Sequence, residues 1–143
     1  MNSSTSEVPP SLAHHVVRSV GRQRVIINDG AILIVLHRPP IDDYWKREGV
    51  FLLKTTTAAW LFKGERSARI LLDSYRTVAC GFDEEFEDAS TPSALLALLD
   101  RLVPIRRSAR NVHSVLSEAG KHLRGDTELA EWINFAYETE RGL

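Results

Sequence analysis

The sequence predicts an α+β fold: a small antiparallel sheet of about four strands, arranged as two hairpins, followed by three or four helices. Three observations carry that reading. Two apolar runs in the first half of the chain flank the turn dipeptide Asp29-Gly30. From Ser67 onward the apolar residues recur three and four apart, as on a helix. Strands that precede helices, rather than alternating with them, sort into an antiparallel sheet with helices on one face.

The bulk composition bounds the rest. With 143 residues and 43% hydrophobic content, the chain is sized to bury one core. The expected organisation is a disordered tail over residues 1–10 and one α+β unit over 11–143, β-rich at 22–64 and helical at 66–141. A net charge of −1 gives no overall field toward nucleic acid or an acidic membrane. One cysteine, Cys80, excludes an intramolecular disulfide and reads as a small buried hydrophobe. The longest apolar run, Ala31 to Leu36, is far short of a membrane span. "MNSSTSEVPPS" has neither the basic nor the apolar region of a signal peptide. The chain therefore reads as soluble and cytoplasmic.

The polar tail ends at Pro9-Pro10, and Ser11 then caps a short helix carrying Leu12, Val16 and Val20 on one face. The first hairpin follows, with strands at about 23–28 and 31–37 joined by Asp29-Gly30, residues that accept the positive φ of a tight turn. The second strand is apolar on both faces, which suits a central or covered strand; Pro39-Pro40 ends it. After the loop "IDDYWKREG", two more strands are expected at about 50–55 and 58–63, joined at the threonines. Leu71, Tyr75, Val78 and Phe82 then define a helix at about 67–80, stopped by Gly81. The acidic run 83–88 reads as a connector. Thr91 and Pro92 open a long helix as N-cap and first residue.

That helix is the most regular pattern in the chain. Leu95, Leu98, Leu102, Ile105, Ala109, Val112, Leu116, Ala119 and Leu123 alternate in steps of three and four. Pro104 interrupts one hydrogen bond and is expected to kink or split the helix near residue 103. Asp126 or Thr127 starts a last helix to about residue 140. Residues 91–125 hold six Lys/Arg against two Asp/Glu, and residues 126–143 hold one Arg against five acids. The last two helices are thus electrically complementary.

Three functional classes follow. The first is a non-enzymatic protein–protein interaction module: an adaptor, assembly factor or regulatory subunit. Its surfaces would be the Tyr44–Trp45 loop and the stripe of Leu95, Leu98, Leu102, Ile105, Val112, Leu116 and Leu123. Those stripe residues pack equally well in cis, as core, or in trans, as a homodimer seam. The second is a nucleic-acid-associated regulator that contacts phosphates through Arg106, Arg107, Arg110 and Lys121. It lacks interleaved aromatic residues and any zinc or helix-turn-helix pattern. The third is a small enzyme with a pocket near His37, Asp42 and Asp43, in which the histidine would act as base. No phosphate-binding glycine loop, nucleophile elbow or zinc motif is present, so no catalytic residue, metal ligand or cofactor is assigned. The interaction module is the reading the sequence favours.

Overall fold

A computed structural model of the chain describes residues 21–28, 30–40, 48–55 and 59–143. The expectations for the tail 1–10, the helix after Ser11, the acids Asp42 and Asp43, the Tyr44–Trp45 pair and the threonine turn at 56–58 lie outside these residues.

The fold is α+β, as the sequence predicts. Four strands, β1 (Arg24–Asn28), β2 (Ala31–His37), β3 (Gly49–Lys54) and β4 (Leu61–Lys63), form an antiparallel sheet in the order β1-β2-β3-β4. Three helices follow: α1 (Ala68–Asp88), α2 (Pro92–His122) and α3 (Thr127–Arg141). In the first hairpin Asn28 pairs with Ala31, and Gly30 takes φ 74°, the left-handed conformation a tight turn favours.

Side-chain alternation along β2 explains its wholly apolar sequence. Ile32, Ile34 and Leu36, with Val50 and Leu52 of β3, join the core beneath the helices. Ala31, Leu33 and Val35, with Phe51 and Leu53, form a second buried cluster of opposite parity, flanked by Ile26 and Leu61. The register pairs like with like: Ile34 faces Leu52, and Val35 faces Phe51. β2 is central and buried on both faces, as its sequence requires.

Each helix starts at a residue that can cap it. Ser67 accepts from the Ile70 N–H at 3.2 Å, Thr91 from Ala94 at 3.1 Å, and Asp126 from Leu129 at 2.8 Å. Three sequence expectations are corrected. First, α1 does not stop at Gly81; it runs through the acidic segment 83–88 to Asp88. The reason is apolar: Phe82 is buried, and Phe86, four residues on, packs against the same core. Second, of the two outcomes expected at Pro104 the split does not occur: α2 is one continuous helix of 31 residues with Pro104 inside it. Third, Cys80 is exposed on α1, not buried. Helices α2 and α3 approach closely at Gly120, where an added Cβ would stand 2.9 Å from Cδ1 of Ile133.

Candidate interaction surface

The inner stripe of α2 belongs to the core of the chain itself. Leu98, Leu102, Ile105, Ala109, Val112, Leu116 and Ala119 are all buried. Leu123, at the helix end, is half-buried against the same cluster. Of the predicted stripe, Leu95 alone is exposed, at 38%. The alternation of three and four that suggested a seam is the periodicity of a helix lying on its own sheet and neighbours.

A second apolar row emerges on the opposite side of the same helix. Leu96 is 62% exposed, Leu99 47% and Val103 52%. At 3.6 residues per turn these three fall within about 60° of one another and roughly opposite Leu98, Ile105 and Leu116. The row spans about 10 Å at 1.5 Å per residue. Sequence reasoning missed it because the "LLALLDRLV" segment is apolar on two sides, and the longer inner pattern masked the shorter outer one.

The side of α2 that meets α1 is a different one, marked by Arg101, which falls roughly opposite this row at 3.6 residues per turn. The turn between α1 and α2 occupies only residues 89–91. The last turns of α1 therefore lie beside the first turns of α2. Arg101 of α2 reaches Glu85 of α1 at 3.0 Å and covers the Phe82 ring at 5.2 Å. The pair closes over a groove lined by Val78, Gly81, Phe82, Glu85, Arg101 and Ile105. Asp83, Glu84, Glu87 and Asp88 are exposed and have no ion-pair partner among the described residues. Asp100 lies on α2 itself, one residue from Leu99, and is exposed as well. Carboxylates at a helix C-terminus face the negative end of its dipole, which disfavours each by about 0.3–1 kcal/mol. No basic residue occupies the last turn of α1 to offset this.

The basic stripe of α2 is partly consumed by α3. Arg110 Nε stands 3.8 Å from Glu140, and His113 Nδ1 stands 3.1 Å from the same carboxylate. Arg106 donates to the carbonyl of Leu143 at 2.5 Å. The complementary charge of the last two helices thus acts within the chain. Arg107 and Lys121 are exposed, with no ion pair among the described residues. A stripe that has lost two of its four proposed cations to internal contacts offers phosphates less than its sequence suggested.

His37 is buried in a hydrogen-bonded network. Its N–H donates to Gln23 Oε1 at 2.9 Å, and its ring Nε2 contacts the Gly21 carbonyl at 2.6 Å. Tyr75 donates to the His37 carbonyl, and Gln23 donates to the Ser108 carbonyl at 3.1 Å. These contacts tie the end of β2 to α1 and α2. One residue on, Arg38 N–H donates to the Glu48 carbonyl at 3.0 Å. The Arg38 guanidinium bonds Glu65 at 2.7 Å, lies 3.6 Å from Glu48 and donates to the Gly64 carbonyl. Among the described residues no group of three His, Cys, Asp or Glu could hold a metal ion, and no helix is long and apolar enough to cross a membrane.

The chain matches no family model, no curated protein and no solved structure.

Proposed function

We propose that the protein is a non-enzymatic interaction module, an adaptor, assembly factor or regulatory subunit, that docks a partner on the outer face of the first half of α2. The observation that carries this reading is the row Leu96, Leu99 and Val103, with Leu95 at its edge: large apolar side chains left in water on one helical face. Single exposed apolar residues are ordinary on any surface, but a contiguous row on a long helix is the usual mark of a binding face. These side chains are already about half-buried, so completing the burial of each contributes about 1 kcal/mol to an association. The stripe Leu98 to Leu116 plays no part in docking, because it holds the helix to the rest of the chain.

The test compares the natural chain with a Leu96→Ser/Leu99→Ser variant as bait under identical conditions. Both positions are exposed, so the variant should keep its stability to within about 0.5 kcal/mol. A defined set of proteins retained by the natural chain and lost by the folded variant supports the reading. Identical sets with both baits would remove it.

A further inference from the structure

We draw no further inference here: the strongest candidate, the exposed row of Leu96, Leu99 and Val103 on the outer face of α2, carries nothing beyond the docking reading above, because the exposed Asp100 and Arg107 beside it are of opposite charge and nothing in the structure shows what covers it.

Discussion

The hydroxyl of Tyr75 donates to the main-chain carbonyl of His37 at 2.8 Å. A carbonyl can only accept, so the single Tyr75 proton is committed to it. The second contact of Tyr75, 2.5 Å to the Ser108 hydroxyl, must then be donated by Ser108. One buried phenol thus joins β2 to α1 and α2. Tyr75→Phe leaves a buried carbonyl and a half-buried hydroxyl short of a partner and should cost about 1–3 kcal/mol, measured by urea unfolding.

The same phenol makes stability depend on alkaline pH. Burial pushes the Tyr75 hydroxyl well above its ordinary value of 10.0, and the Ser108 hydrogen bond only partly offsets this. Above pH 10 the unfolded chain releases the proton while the folded chain keeps it. The unfolded state then binds fewer protons, so stability falls as pH rises. The contribution is complete below pH 10 and declines above it, toward the folded value. Unfolding midpoints between about pH 8 and pH 11 should slope downward for the natural chain and less steeply for Tyr75→Phe.

Asp126 produces the opposite dependence. Burial pushes its carboxyl up, but three contacts outweigh burial and hold it below its ordinary 3.8. They are the Leu129 N–H at 2.8 Å, the Trp60 indole N–H at 3.1 Å and the Lys54 ammonium at 3.4 Å. The folded state prefers the carboxylate, so this stabilisation is present above pH 3.8 and is lost as pH falls toward the folded value. Asp126→Ala removes the cap of α3 and strands the Trp60 donor, at about 2–4 kcal/mol in all. Asp126→Asn should retain most of the cap and flatten the acid limb of the stability curve.

The two faces of α2 should respond oppositely to one substitution. Leu116 is fully buried, whereas Leu99 is 47% exposed. Leu116→Asp places an unpaired carboxylate in the core and should unfold the chain; Leu116→Ala should cost about 2–5 kcal/mol. Leu99→Asp should leave thermal unfolding within a few degrees of the natural chain. Circular dichroism melts of the three variants read this directly.

The acidic end of α1 should be improvable. Glu87→Lys/Asp88→Lys replaces two carboxylates at the negative helix pole with cations and should raise stability by about 1 kcal/mol. An equal or lower melting temperature would mean that the acids are balanced by contacts in the chain.

Much of the fold was legible in the sequence. β2 announced its central place through six apolar residues in succession, and Asp29-Gly30 fixed the first hairpin. Ser67, Thr91 and Asp126 marked helix starts because each offers an oxygen to an unpaired N–H. The errors have local causes. Gly81 and the acids after it looked like a helix end, and only the recurrence of Phe82 and Phe86 says otherwise. Leu96, Leu99 and Val103 were hidden by the longer inner pattern, since spacing alone does not tell which of two apolar stripes a helix buries. The His37 network was beyond sequence reasoning: Tyr75 and Ser108 are 33 residues apart, and nothing local pairs them.

The central claim is that the outer face of α2, and not its inner stripe or its basic half, receives a partner. Comparing the proteins retained by the natural chain with those retained by the folded Leu96→Ser/Leu99→Ser variant and by a folded Arg107→Ser/Lys121→Ser variant tests it most directly. The account predicts a defined set that is lost with the first variant and kept with the second. A set kept with the first variant, or lost only with the second, would contradict it.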